Sequence, residues 1–325
     1  MTPAKPIFVF SLPRSGSTLL QRSIAAHPGV ATLQEPWILL PVLYATRPVG
    51  VYAEYRHELA ALGTREFARA LPDGPDSYFE AVRSFVIELY TKAARGKPYF
   101  LDKTPRYHLI SDEVIRIFPD AKFIFLWRNP LAVAASMITT WGSGNWNLFR
   151  NEIDLNVGLA SLVKSARATD NALQVRYEDL VATPNTVLEQ VWAYLDLDPR
   201  LAEDELPVIK GMMGDKNQED SIRVNPKSTS AWLAVYNTPL RRHWARIYLE
   251  AIGDERIEYI GYSRHALSAP LGAVPTNWKQ LVTDIPRHVY GQIYRGFDRL
   301  VRRRNLTFSR AILGQDFSPS RHEIK

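Results

Sequence analysis

Short apolar runs alternate along the chain with stretches of helical spacing. The run Lys122 to Trp127 is continuously apolar after its first residue, as expected for a strand buried on both faces of a parallel sheet. Because helical patterns follow the strands, right-handed crossovers and ligand sites at the strand carboxyl ends are expected. The chain therefore predicts an α/β fold: a doubly wound, mostly parallel sheet flanked by helices. The predicted strands are 7–12, 31–34, 98–101, 122–127 and 172–177.

The first strand runs into a loop of turn-forming and hydroxyl residues. Pro13 to Ser17 has turn chemistry, and helical spacing starts at Thr18. Unpaired N–H groups and the positive end of the helix dipole meet at such a junction, and Arg14 adds a cation, so an anion site is predicted. A nucleoside triphosphatase loop would carry Lys where this chain has Ser17. The loop is therefore P-loop-like, but suited to an anion that needs no metal-bridged triphosphate.

A second anion site is predicted at the end of the strand 122–127. Arg128 follows this strand, and Asn129-Pro130 opens the next helix, with proline in its first turn. Ser136 lies eight positions after Arg128, about two turns into the helix. The arginine fork suits a dianionic phosphate. Alone, each segment also fits an ordinary turn or a solvated arginine; together and in this order they favour a two-part cofactor site.

The two motifs resemble those of sulfotransferases that use 3′-phosphoadenylyl sulfate (PAPS). In that family an arginine at a strand end and a serine eight positions later bind the 3′-phosphate, which implies this role for Arg128 and Ser136. The family's P-R-S-G-[ST]-[ST] loop wraps the 5′-phosphate side of the cofactor. The resemblance assigns that side to Arg14, Ser15, Gly16, Ser17, Thr18 and Leu19.

Other segments are similar to the Golgi-type carbohydrate and tyrosylprotein sulfotransferases and their bacterial relatives. HPGVATLQEPW resembles the stretch that holds their catalytic glutamate, which implies Glu35 as the general base. DKTPR implies that Lys103 contacts the transferring group. VNPKSTSAW implies that Ser230 contacts the sulfonate and binds cofactor, and VRYEDLV implies that Tyr177 lies by the adenine. The resemblance extends to about residue 262.

The chain departs from parts of the family. The cytosolic branch has lysine in place of Arg14 and uses a histidine base, and Thr140 stands where tyrosylprotein sulfotransferases have a second basic residue. Three roles also have plainer alternatives. Lys103 could be a solvated lysine at a strand end, Ser230 a helix cap, and Glu35 a carboxylate paired with a surface arginine.

Sulfonate transfer is an in-line displacement at sulfur, in which charge builds on the leaving 5′-phosphate and the attacking hydroxyl loses a proton. Arg14, Lys103 and the loop amides would stabilise that charge, and Glu35 would take the proton. We predict a PAPS-dependent sulfotransferase that releases adenosine 3′,5′-bisphosphate (PAP) without a metal, since the seven histidines show no ligand spacing. The alternatives are a P-loop nucleotide phosphotransferase, or a non-catalytic membrane-surface protein with a degenerate nucleotide fold.

The sequence leaves the hydroxyl acceptor open among a sugar, a lipid, a phenol and a peptide tyrosine. Trp141 and Trp146 flank a Gly/Ser turn, and either cover the acceptor or anchor the core. Trp37, close to the predicted base, is a third acceptor-side candidate. The insertion 38–97 either builds an acceptor pocket or packs as helices. Its helical stretches are predicted near 52–62 and 76–95.

Composition frames these motifs. A chain of 325 residues with 46% hydrophobic residues can bury a full core, and we expect one α/β domain at 1–267 with an extension at 268–325. The absence of cysteine excludes disulfides and thiolate chemistry. The first apolar run is too short for a signal peptide, and no segment approaches membrane-spanning length, so a cytoplasmic location is expected.

The formal charge of +6 is concentrated in the extension. Ten basic and four acidic residues follow position 267, which leaves residues 1–267 net neutral. Apolar residues recur at helical spacing within 285–304, so this basic amphipathic segment either docks on the α/β domain or contacts an anionic membrane. Gly291 and Gly296, unfavourable in an isolated helix, favour docking. Nucleic-acid binding is not expected, because the basic run has no recognisable fold of its own.

Overall fold

The predicted strands form one five-stranded parallel sheet. The structure is a computed structural model that describes residues 2–203, 205–209 and 230–312, with side chains described to residue 296. The strand order is β2-β3-β1-β4-β5, and every neighbouring pair is parallel. The strands are β1 Lys5–Ser11, β2 Val30–Thr32, β3 Tyr99–Asp102, β4 Lys122–Trp127 and β5 Ala172–Arg176.

Helices connect the strands and cover the sheet. Short 3-10 turns lie between several of them, including Pro105–Leu109 and Ala231–Tyr236. The α-helices are α1 Ser17–Ala25, α2 Leu39–Tyr44, α3 His57–Arg69, α4 Pro75–Ala94, α5 Ser111–Ile117, α6 Pro130–Thr140, α7 Leu159–Arg167, α8 Tyr177–Ala182, α9 Pro184–Leu195, α10 Pro239–Ile252, α11 Asp254–Tyr259, α12 Arg264–Ser268 and α13 Trp278–Ile312.

The strand order places β1 at the centre and β4 beside it. From β1 the chain builds β2 and β3 on one side of the sheet, then β4 and β5 on the other. The loops after β1 and β4 therefore leave the sheet side by side, where the winding direction reverses. In open α/β sheets this switch point is where ligands bind. The predicted doubly wound, parallel α/β fold is confirmed.

Both faces of the sheet are buried, which explains the continuous apolar strands. Phe8 and Phe10 of β1 lie with Phe123 and Phe125 of β4 on one face, where the centroids of neighbouring rings are 5.2–6.1 Å apart. The residues between them, such as Val9, point to the other face and pack with apolar residues of α1 and α9. Because successive strand residues alternate between faces, a sheet covered on both sides needs apolar residues at every position.

The insertion and the C-terminal extension are helical. α2, α3 and α4 occupy the insertion, and Val82, Val86 and Tyr90 of α4 belong to the core on the phenylalanine face. The helix predicted near 52–62 begins only at His57. α13 is longer than the predicted segment 285–304. Among the described residues, no helix combines the length and apolar character needed to cross a bilayer.

Candidate active site

The loop after β1 presents an uncapped helix end. Gly16 occupies the N-cap position of α1 with φ 89°, and within the described residues no side chain caps this helix. The first N–H groups of an α-helix have no acceptor inside the helix, so this end offers donors and a positive dipole to an anion. Ser15 and Ser17 are buried in the same loop, and Leu19 packs into the core. The predicted anion loop is thus present as backbone geometry.

The ring of Tyr177 lies directly against Gly16 of this loop. Tyr177 begins α8 directly after β5, and a β-carbon added to Gly16 would lie 2.3 Å from its ring. The position therefore requires glycine for two reasons, the close ring and the left-handed backbone.

We expect Gly16→Ala to lower the free energy of unfolding by at least about 1–2 kcal/mol, the usual cost of placing an alanine in the left-handed region, and to weaken PAP binding. Gly63→Ala is the matched control: Gly63 lies inside α3 with nothing within 4 Å of an added β-carbon. There alanine should stabilise the protein by roughly 0.5–1 kcal/mol. Urea denaturation measures the free energy of unfolding of both variants. Equal effects of the two substitutions would contradict the loop geometry.

Arg128 is a largely buried cation beside this loop. Its Nη1 donates to the carbonyl oxygen of Arg14 at 2.8 Å, and its guanidinium lies 4.2 Å from the centroid of the Tyr177 ring. Burial lowers the pKa of Arg128, and the nearby charge of Arg14 lowers it further, while Tyr177 and Glu178 raise it. Among the described residues its buried Nε has no hydrogen-bond partner. A phosphate would supply the missing acceptor.

The carboxylate nearest to this cation is engaged elsewhere. Glu178 accepts from the backbone N–H of Asn129 at 3.1 Å and from the hydroxyl of Tyr262. The side chain of Asn129 in turn caps α6, accepting from the backbone N–H groups of Leu131 and Ala132. α6 is therefore capped by the protein, whereas α1 is not. The second half-site therefore offers an anion side chains rather than an uncapped helix end.

Arg14 reaches across to α6 and joins the two half-sites. Its Nε donates to Ser136 Oγ and its Nη2 to Thr140 Oγ1, both at 3.3 Å. The backbone of Arg14 lies in the left-handed region, with φ 68°, a conformation seldom adopted outside glycine. The predicted 5′-side arginine thus contacts the predicted 3′-side serine. Arg14 also contacts Thr140, which stands where tyrosylprotein sulfotransferases have a second basic residue.

Glu35 and Lys103 form a buried ion pair. Lys103 is 1% exposed, and its Nζ lies 2.8 Å from Oε1 of Glu35, which is 10% exposed. Trp37 donates its indole N–H to Oε2 at 3.1 Å and has φ 58°, another left-handed non-glycine backbone. Both oxygens of the carboxylate are thus oriented by the protein. Lys103 is therefore not a solvated lysine at a strand end, and Glu35 is not a carboxylate paired with a surface arginine.

The sequence analysis missed two buried polar residues near this pair. Gln21 of α1 is buried, and its Nε2 lies 2.6–3.2 Å from Thr32 Oγ1 and the carbonyl oxygens of Leu33 and Gln34. It ties the helix of the anion loop to the segment before Glu35. In the sequence, a glutamine on the apolar face of a helix could have indicated this buried position. Asp102 is the other residue, and it immediately precedes Lys103.

Asp102 is wholly buried and accepts three side-chain hydrogen bonds. The donors are Tyr90 at 2.5 Å, Tyr107 at 2.9 Å and Thr104 at 3.0 Å. Burial raises its pKa to about 6, although these bonds lower it. The folded protein therefore holds this proton more tightly than the unfolded chain. The resulting stabilisation is complete below the unfolded pKa of about 4 and is lost as the pH rises through about 6.

We expect Asp102→Asn, which cannot ionise, to remove this pH dependence. The wild type should gain stability relative to the variant, on the order of 2 kcal/mol, as the pH falls from about 7 to about 4. Urea denaturation across this range measures the difference. A difference independent of pH would show that Asp102 has an ordinary pKa.

The two tryptophans of the loop after α6 differ in their exposure. Trp141 is 49% exposed, whereas Trp146 is 3% exposed and packs edge-on against Trp244 at 5.4 Å between centroids. The prediction that Trp146 covers an acceptor is therefore not supported, because its ring faces the core. Ser230 begins the 3-10 helix Ala231–Tyr236 without a side-chain cap bond. Residues 224–229 of its motif lie outside the described residues.

The described site has cations and amides for an anionic ligand but no evident metal ligands. Arg14, Arg128, Ser136 and the α1 terminus converge at the switch point. Within the part of the chain that the structure describes, no group of three or more His, Asp or Glu side chains could hold a metal ion. The uncapped end of α1 and the unsatisfied Nε of Arg128 both suit the phosphate groups of PAPS.

Comparisons with known proteins identify the family of this chain. A sequence profile described as "Sulfotransferase family" matches residues 6–201. Nodulation protein NoeE of Sinorhizobium fredii (strain NBRC 101917 / NGR234) is 27% identical over 294 residues, which cover 79% of this chain and 66% of NoeE. Protein-tyrosine sulfotransferase 1 of Danio rerio is 24% identical over 273 residues, which cover 80% of this chain and 73% of the relative.

Among solved structures, the sulfotransferase domain from the curacin biosynthetic pathway is 21% identical, with a TM-score of 0.47 and coverage of 72% of this chain and 91% of that domain. The chain spans about two thirds of the length of NoeE. The profile match covers more than half of the 325 residues, and the chain therefore belongs to the sulfotransferase family.

Proposed function

We propose that the protein transfers the sulfonate group of PAPS to a hydroxyl acceptor and releases PAP. The observation that carries this proposal is the largely buried guanidinium of Arg128, whose Nε is fully buried. Within the described residues it makes no ion pair, its Nε is unsatisfied, and it lies beside Arg14 and the uncapped α1. The nearby carboxylate of Glu178 is bonded to Asn129 and Tyr262, so it compensates this charge only in part, and a phosphate at this point would complete the compensation. Arg128 and Ser136 are the proposed 3′-phosphate ligands.

The chemistry requires a base and a stabilised leaving group. The acceptor oxygen attacks sulfur, the bond from sulfur to the 5′-phosphate oxygen breaks, and the acceptor proton passes to Glu35. The α1 amides and Arg14 stabilise the charge that develops on the leaving phosphate. Lys103 and Trp37 orient Glu35, and each carboxylate oxygen keeps a further lone pair for the incoming proton. Bound PAPS supplies the activated sulfonate, and no step requires a metal.

The remaining roles are proposed from position and resemblance. Tyr177 borders the phosphate loop and is assigned to the adenine side, and Ser230 is assigned to the sulfonate. Trp37 and the exposed Trp141 are the acceptor-side candidates. The Danio rerio relative is named as a protein-tyrosine sulfotransferase, so a peptide tyrosine is one acceptor class. Sugars, lipids and phenols remain the others.

The direct test compares PAP with ATP and Mg²⁺ in a thermal-shift assay. PAP at a hundredfold excess over its Kd should stabilise the fold by about 2.7 kcal/mol and raise Tm, because a ligand that binds only the native state stabilises it by mass action. ATP with Mg²⁺ should do far less. Equal or greater stabilisation by ATP with Mg²⁺ would favour the phosphotransferase. No shift with either nucleotide would favour a non-catalytic protein.

A further inference from the structure

α13 is fixed to the α/β domain by one of its faces. Asp284 is 0% exposed and accepts from Nε and Nη2 of Arg241 at 2.7 and 2.8 Å, and from Thr238 Oγ1 at 3.1 Å. One turn earlier, Gln280 donates to the carbonyl oxygen of Gly144 at 3.2 Å. Two turns later, Gly291 lies so close to Phe149 that an added β-carbon would be 2.9 Å from the ring. The inner face of the helix therefore packs against the α/β domain.

The opposite face carries a continuous apolar stripe that nothing in the described structure covers. We call it the outer stripe. Its five side chains are 49–72% exposed, although a helix that only docked would turn polar residues outward. At about 100° per residue they fall within about 80° of the helix circumference and extend for about 22 Å. The outer stripe consists of Trp278, Val282, Ile285, Val289 and Ile293.

The charge of α13 identifies the kind of surface that fits the outer stripe. Within Trp278–Ile312 the sequence has eight basic and two acidic residues. Of these, Asp284 is paired with Arg241, and Arg295 is paired with Glu152 of the domain. The stripe includes an exposed tryptophan, Trp278, whereas Tyr290 and Tyr294 pack against Phe149 of the domain. An apolar stripe with an interfacial tryptophan on a basic helix is typical of helices that lie in the plane of an anionic membrane.

A second copy of the chain fits the stripe less well. Pairing two α13 helices would bring two strongly basic segments together, and like charges at close range repel each other. We propose that the outer stripe lies at the headgroup boundary of an anionic lipid bilayer while the inner face keeps the α/β domain attached. The two interpretations of the basic segment are thus compatible, because docking and membrane contact use different faces. This proposal does not depend on sulfonate transfer.

The test is cosedimentation of the full chain with vesicles of phosphatidylcholine and phosphatidylglycerol, and with phosphatidylcholine alone. The stripe variant is Val282→Asn with Val289→Asn, which removes apolar contact without changing charge. The control is Val157→Asn with Val208→Asn, two valines of similar exposure outside α13. We expect binding to the anionic vesicles at low salt, at least tenfold weaker binding by the stripe variant, and wild-type binding by the control. Added salt should weaken the interaction.

Circular dichroism melting and PAP titration of both variants show whether the fold is retained. Failure of the wild type to sediment with anionic vesicles at low salt would overturn the proposal. So would equal binding by a folded stripe variant. A wild-type dimer in light scattering that dissociates in the stripe variant, without vesicle binding, would identify a second copy as the occupant and also overturn it.

Discussion

Replacing Glu35 by glutamine is expected to lower the rate of sulfonate transfer by roughly a hundredfold or more while leaving PAP affinity unchanged, the usual scale for losing a general base. Glutamine is nearly isosteric, and its carbonyl oxygen can still accept from Lys103 or Trp37. It cannot take the acceptor proton. The assay is transfer of ³⁵S from labelled PAPS to an acceptor that the wild-type enzyme labels, found among peptide, glycan, phenol and lipid fractions.

Trp37→Phe is the matched control for this experiment. It keeps the base and most of the aromatic surface but removes the indole donor to Oε2. We expect a smaller loss of rate than for Glu35→Gln, because one orienting hydrogen bond is lost rather than the proton acceptor. Wild-type turnover by Glu35→Gln at neutral pH would show that another group is the base, and that the Glu35 to Lys103 pair is structural.

Arg128→Ala should weaken PAP binding by at least about 2 kcal/mol, about thirtyfold in Kd, because it removes a buried charged donor to phosphate. Ser136→Ala should cost less, since it removes a neutral hydroxyl and leaves both arginines in place. Isothermal titration calorimetry measures each affinity, and the melting temperature without ligand shows whether the loop survives the loss of the bond from Arg128 to Arg14.

A half-buried arginine outside the site provides the comparison. Arg83 of α4 pairs with the exposed Asp120, and such surface pairs contribute little. Asp120 precedes the amino end of β4, whereas the switch point lies at the carboxyl ends of the strands. Arg83→Ala should therefore leave PAP affinity at the wild-type value. If Arg128→Ala binds PAP as tightly as Arg83→Ala, the 3′-phosphate site lies elsewhere and the proposed function loses its main support.

Much of the fold could be predicted from sequence because buried parallel strands leave a strong signal. The strand 122–127 has the predicted bounds, and the strand predicted at 7–12 is observed at Lys5–Ser11. Spacing alone also placed Arg128 at a strand end and Ser136 on the following helix. Strand order was not predictable in this way, because the position of β3 between β1 and β2 depends on contacts between distant segments.

The directions of the side chains in the site could not be predicted from the sequence. No local propensity indicates the left-handed backbones of Arg14 and Trp37, which are stabilised by their surroundings. The reach of Arg14 to Ser136 and Thr140 depends on where α6 packs. The burial of Trp146 likewise depends on Trp244, almost a hundred residues away in sequence. Gly291 is unfavourable in an isolated helix, but in α13 it leaves room for the ring of Phe149, a contact that the sequence does not indicate.

The buried pair of Arg241 and Asp284 makes the C-terminal segment part of the cooperative folding unit. A chain that ended at residue 267 would keep Arg241, 2% exposed, in the interior without its carboxylate. Breaking a buried pair by removing one partner typically costs about 3–5 kcal/mol, a large share of the stability of an ordinary domain. The shortest autonomous form of this enzyme therefore extends beyond the residues that the family profile covers, at least through the first turns of α13.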